Sequence, residues 1–141
     1  MSRAPQAGLA IVSEVRRGDD WLTQARRDLQ LAQAVTDLGF HEWACFAAHQ
    51  AAEKAAKALH QFRGSEAWGH DVRELLEAAG DVPAPLVDAA AELDTFYIPT
   101  RYPDALPAGA PGQSYTAAQA QRAVGLAEQV LTHVERARPS P

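Results

Sequence analysis

"FHEWACFAAHQAAEKAAKALHQF", residues 40–62, decides the fold. It holds neither glycine nor proline, and alanine, the strongest helix former, recurs through it, so the stretch predicts a helix. Ala44, Ala48, Ala51, Ala55, Leu59 and Phe62 return every three or four positions and fall on one stripe. Small side chains along a buried stripe let neighbouring helix axes come close, which suits the centre of a bundle. His49, Glu53, Lys57 and His60 share the other face, with Gln50 and Lys54 at its margin. That face can offer an acid, a base and cations to one ligand. A solvated surface, with Glu53 and Lys57 as an i,i+4 ion pair, has the same pattern. His49 and Glu53 alone, with no zincin sequence and no further Cys/His cluster, do not make a metal site, and neither metal nor cofactor is expected.

The neighbouring segments carry matching stripes. Upstream, Asp19 and Asp20 stand at the expected cap of a first helix bearing Leu22, Ala25, Leu29, Ala32 and Val35, and Gly39 stops it. Residues 1–18 read as a lead-in that docks as a short turn or stays loose. Downstream, "GHDVRELLEAAG" is a short amphipathic helix capped by His70 or Asp71, with Val72, Leu75, Leu76 and Ala79 inward and Gly80 at its end. After "DVPAP" come Leu86, Ala89, Ala90, Leu93 and Phe96, running into Pro99. "TAAQ" at 116–119 has capping-box form and opens a last helix with Ala120, Val124, Ala127, Leu131 and Val134 on one arc. The expected fold is an all-α, antiparallel up-and-down bundle over residues 19–137. It has four long helices, one short third helix, a long Pro-rich loop before the last helix and a tail at 138–141.

Composition limits the function. The 141 residues, 47% hydrophobic and 22% charged, suffice for one core. A net charge of −5 argues against nucleic-acid binding by overall positive charge, so any such role needs a local patch. Cys45 is the only cysteine, which excludes an internal disulfide and points to a reduced, cytoplasmic setting. The apolar run "GLAIV" is too short for a signal or a span, so export and membrane anchoring are not expected.

The connection "YIPTRYPDALPAGAPGQSY", residues 97–115, is the unusual one. Connections this long without secondary structure are functional or disordered. Pro99 and Pro103 fix their own φ and restrain Ile98 and Tyr102, so Arg101 lies in a stiff segment that lowers the entropy cost of holding a guanidinium in place. Arg101 can fork onto a phosphate or carboxylate while a tyrosine stacks on a base or on the guanidinium. It can equally pair with Asp104 or a helix C-terminus, with the tyrosines covering the bundle end.

"HQAAEKAAKAL", "GHDVRELL", "YIPTRYPD" and "AAQAQRAVGLAEQVL", in this order and at these separations, resemble the HEPN family of small helical domains over about residues 20–136. The chain looks like the branch with a "TRYPD" element, often found as a stand-alone protein beside a minimal nucleotidyltransferase. The resemblance implies a homodimer, and Trp43, Phe46 and Trp68 are aromatics of the kind enriched at interfaces, equally suited to finishing the monomer core. It also implies, for many members, a metal-independent ribonuclease using an arginine and a histidine four to six residues apart. Here no histidine follows Arg101 before His133, and the pair with a comparable gap, Arg63 and His70, precedes the third helix. The residues carried over are Arg101, Tyr102 and Asp104 from the loop, His49, Glu53 and Lys57 from the second helix, and His70. Arg101 and Lys57 are expected to bind phosphate, Tyr102 to stack, and Asp104 to orient Arg101 or accept from a ribose hydroxyl. The function read from this is a non-catalytic nucleotide-binding or interaction module, the partner of a nucleotidyltransferase within a toxin–antitoxin pair. One alternative is an RNA-cleaving enzyme with Arg101 on the phosphate and His49 or His70 moving protons. A second is a helical adaptor whose loop binds another protein.

Overall fold

The computed structural model describes residues 4–140, with side chains from Arg17 onward, and the described chain is all-helical. Helix α1 (Ala4–Asp37) turns through Leu38–Phe40 into α2 (His41–Phe62). Gly39, at φ +87°, supplies the left-handed residue that this tight turn requires. Two short helices follow, α3 (Val72–Ala79) and α4 (Ala84–Asp94), and after the single-turn α5 (Pro111–Ser114) the long α6 (Ala117–Ala137) closes the fold.

Side-chain pairs fix the direction of the three long helices. Asp28 meets Lys54 and Trp21 meets Lys57, so α1 and α2 are antiparallel. Asp19 with Arg138, Arg26 with Glu135 and Gln33 with Glu128 run α6 antiparallel to α1 in the same way. The core follows the expected stripes: Leu22, Ala25 and Ala32 of α1, the α2 alanines with Leu59, and Ala120, Ala127, Leu131 and Val134 of α6 are all buried. Burial of this apolar surface, at about 25 cal/mol per Å², is the main force holding the three long helices together.

Three features differ in detail from the sequence expectation. The backbone of α1 is helical from Ala4, so Asp19 and Asp20 lie inside the helix instead of capping it. Pro5 sits in the first turn, where a missing N–H costs nothing. The residues of the expected lead-in described as backbone therefore belong to α1, and residues 1–3 lie outside the described chain. Gly18 is buried in that helix, and a Cβ there would stand 2.5 Å from the Phe62 ring, so glycine is what lets α1 close on the end of α2. Helix α4 has 11 residues, and Phe96 is buried beyond its end. Finally, the long connection is divided by a 3-10 turn (Pro103–Ala105) and by α5, each opened by a proline at a first-turn position. The capping box at Thr116 forms as expected, with Gln119 N donating to Thr116 Oγ1 at 3.1 Å and Thr116 N donating to Gln119 Oε1 at 2.9 Å.

Candidate functional site

Helix α3 sits across the polar face of α2, which is why that face is not solvated. His60 is buried, with Nε2 2.8 Å from the Leu75 carbonyl of α3 and Nδ1 3.3 Å from Ser65 Oγ. At the other end of α3, Asp71 caps the helix by accepting from Glu74 N at 2.9 Å. Asp94, the last residue of α4, accepts from Val72 N at 2.8 Å and Arg73 N at 3.0 Å. Two carboxylates thus serve the free amides of one short helix and complement its dipole.

Asp94 also receives His49 Nε2 at 3.0 Å, and the other ring nitrogen of His49 is 3.2 Å from Gln50 Nε2. With Asp94 as acceptor, Nε2 carries the proton and Nδ1 accepts from the Gln50 amide. His49 is 0% exposed. Burial pushes the Asp94 carboxyl up, but the His49 bond and the two α3 amides outweigh it and hold Asp94 below the usual aspartate range.

One turn further along α2, Glu53 is only 4% exposed and shares its carboxylate between Lys57 Nζ at 3.3 Å and His70 Nδ1 at 2.9 Å. The ammonium of Lys57 also lies 5.4 Å from the Trp21 ring centre. The His70 side chain keeps 59% of its surface exposed.

Tyr97 connects this cluster to the loop. Its ring stacks on His70 with centres 5.1 Å apart and planes 17° apart, lies 5.0 Å from His49, and is stacked on Phe46 at 6.1 Å. The guanidinium of Arg101 lies 4.6 Å from the Tyr97 ring centre, 4.5 Å from that of Phe46 and 5.1 Å from that of Tyr102. Arg101 Nε donates to the Tyr97 carbonyl at 2.9 Å. Three ring faces and one backbone acceptor hold the guanidinium, and no carboxylate pairs with it among the described residues. The Nε end is tied to a carbonyl just past α4 and not to Asp104, while the terminal nitrogens have no anionic partner among the described residues.

Tyr97 brings together Arg101, His49 and His70, with Tyr102 on the guanidinium and Glu53 behind His70, whereas Lys57 is reached only through Glu53 and faces Trp21. Asp104 does not join them: it is exposed in the 3-10 turn, and its side chain makes no hydrogen bond or ion pair with Arg101 among the described residues. Arg63 and His70 are kept apart, since Arg63 Nη1 donates to the Ala79 carbonyl at the C-terminus of α3 while His70 precedes its N-terminus. Among the described residues no group of three or more His, Cys, Asp or Glu side chains is arranged to hold a metal, and no helix is long and apolar enough to cross a membrane. Sequence reasoning named Phe46 only as an interface aromatic and Tyr97 only among the loop tyrosines, and it passed over Asp94. Phe46 could have been placed at the site, for it precedes His49 and Glu53 by one and two turns on the same face. Asp94 has no comparable signal, because its role depends on how α3 and α4 fold back.

Comparison with known proteins places the chain in a family. The HEPN domain model matches residues 19–137. The solved structure of TT1696 from Thermus thermophilus is similar at 52% identity with a TM-score of 0.84, over 86% of this chain and 98% of that one. ST0689, an archaeal HEPN homologue, is 40% identical with a TM-score of 0.75, over 84% of this chain and 95% of its own. The HEPN domain protein TM0613 from Thermotoga maritima is 38% identical with a TM-score of 0.67, over 83% and 95%. None of the curated proteins matches the sequence. A match across nearly the whole bundle, together with such shared identity, means that this chain belongs to the HEPN domain family.

Proposed function

We propose that the chain is a cytoplasmic nucleotide-binding and interaction module in which Arg101 takes a phosphate group. The observation that carries this reading is the guanidinium laid among Phe46, Tyr97 and Tyr102 with no carboxylate partner among the described residues. A pre-positioned guanidinium loses little entropy on binding and offers its outer N–H groups as a fork for an anion. Tyr102, 49% exposed, is the ring on which a base would stack. His49 acts here as a positioning residue, since both its ring nitrogens are engaged inside the fold. Lys57 is paired with Glu53 and adds no free charge at this site, and Asp104, exposed in the 3-10 turn, stands apart from the cluster. The partner we assign is a minimal nucleotidyltransferase, within a toxin–antitoxin pair, and the assembled form a homodimer. The "TRYPD" resemblance and the exposed Leu31, Leu38, Phe40 and Trp43 at one end of α1 and α2 support this.

One observation favours a second reading, metal-independent RNA cleavage. His70 is open to solvent, backed by the Glu53 carboxylate, and stacked on the same tyrosine that carries Arg101. In that reading Arg101 stabilises charge on the phosphate and His70 transfers the proton of a ribose hydroxyl. Calorimetric titration with nucleotides, alongside incubation with RNA in EDTA, separates the two. Saturable binding lost in Arg101→Ala, without cleavage, is the expected result. Cleavage abolished by both Arg101→Ala and His70→Ala would replace the first reading with the second.

A further inference from the structure

We propose that the cleft between α1, α2 and the segment after α2 is a nucleobase-binding site, distinct from the Arg101 site and on the other side of Glu53. It encloses about 170 Å³, and its lining includes Arg17, Trp21, Lys57, Gln61, Glu66 and Trp68. Trp68 is 86% exposed, more than any other large apolar side chain among the described residues. An uncovered indole at the mouth of a cleft is a stacking platform, and every base has a π-face to lay on it. The half-buried Trp21 provides a second aromatic surface in the same cleft, with Lys57 held over it.

Gln61 makes the cleft more than an apolar notch. It is nine-tenths buried, lines the cleft, and its side-chain amide has no hydrogen-bond partner among the described residues. Its polar atoms are not sealed from solvent, so in the free protein water satisfies them through the cleft and the edge of a ligand takes that water's place. Its adjacent donor and acceptor match the paired acceptor and donor on the edge of a base. The charges of the lining select the ring and not the phosphate. Lys57 is already paired with Glu53, Arg17 with Asp20, and Glu66 adds a negative charge, so among the described residues no unpaired cation lines the cleft for an anion. The Arg101 site, where no carboxylate pairs with the cation, takes phosphate, and this cleft takes the uncharged ring of a mononucleotide or of single-stranded RNA.

The test is tryptophan fluorescence in a Trp43→Phe background, which removes the indole beside the Arg101 site, with calorimetry in parallel. The probes are the four nucleoside 5′-monophosphates and a mixed-sequence RNA of six nucleotides. Saturable quenching by at least one probe is expected, with Trp68→Ala weakening that binding about tenfold, as loss of one base stack does. Gln61→Leu is expected to lessen the preference among bases while the protein stays folded. Tighter binding of a mononucleotide than of the RNA assigns the cleft to free nucleotides, and the reverse assigns it to a strand. Quenching that survives Arg101→Ala shows the two sites to be separate. The proposal is overturned if no probe quenches, or if Trp68→Ala binds every probe as the parent does. Binding lost in Arg101→Ala but intact in Trp68→Ala leaves the phosphate site standing and removes this one.

Discussion

Two histidine–carboxylate pairs stand one turn apart on α2, and they are built in opposite senses. In the first, the histidine is the buried partner: His49 is 0% exposed and donates to Asp94, whose carboxylate is also held by the amides that open α3. In the second, the acid is the buried partner: Glu53 is enclosed, while 59% of the His70 side chain faces solvent. The same two chemical groups therefore do different things. A sealed imidazole with both nitrogens engaged has no route for proton exchange with a ligand, so its value is mechanical. An exposed imidazole held by a buried acid can meet a ligand while its ring keeps its place on Tyr97.

The largest expected effect tests the sealed pair. Asp94→Ala leaves His49 Nε2 and the Val72 and Arg73 amides without their acceptor, a loss expected to cost about 3 kcal/mol or more. Urea denaturation measures it, and a cost below about 1 kcal/mol would show that Asp94 does not pin α3. The pH dependence sharpens the same point. Because the folded-state pKa of Asp94 is depressed, its contribution is complete above the ordinary aspartate range and is lost as pH falls through the depressed value. Asp94→Asn is expected to be less stable at neutral pH, with the gap to the parent closing under acid, below about pH 4.

Arg101→Lys comes next. Lysine keeps the charge but loses the planar fork that lies among the three rings. Nucleotide affinity is expected to fall about tenfold, near 1.4 kcal/mol, while stability changes by less than about 0.5 kcal/mol. A lysine variant that binds as tightly as the parent would mean that the fork is not used and that only charge matters.

Why the sequence revealed one part and not the other follows from what each part depends on. The stripes of α1, α2 and α6 are local periodicities, and one face of a helix is readable wherever alanine and leucine recur at helical spacing. The polar face of α2 is just as periodic, but whether it is solvated depends on α3, a helix of eight residues placed over it by a carboxylate from α4. Asp94 and Tyr97 act through contacts far apart in sequence, which periodicity does not encode. Arg101 was legible because Pro99 and Pro103 mark a stiff segment, whereas the acceptor that fixes its Nε, the Tyr97 carbonyl, is a backbone atom with no signature at all.

The smallest expected effect belongs to the open pair, and it is the one that most directly tests the contrast. His70→Ala removes a mostly exposed ring, and Glu53 keeps its bond to Lys57, so the cost to stability is expected to stay below about 1 kcal/mol. Glu53→Ala is expected to cost more, since the Lys57 side chain is 13% exposed and would lose its only ion-pair partner among the described residues. Binding reads the other side of the contrast. Without His70 one face of Tyr97 is uncovered, the ring beneath Arg101 is less firmly held, and nucleotide affinity is expected to fall about two- to threefold, below about 1 kcal/mol. Denaturation and calorimetry on the same variant decide it: a stability loss equal to that of Asp94→Ala, with binding untouched, would make both pairs structural and leave Arg101 alone at the site.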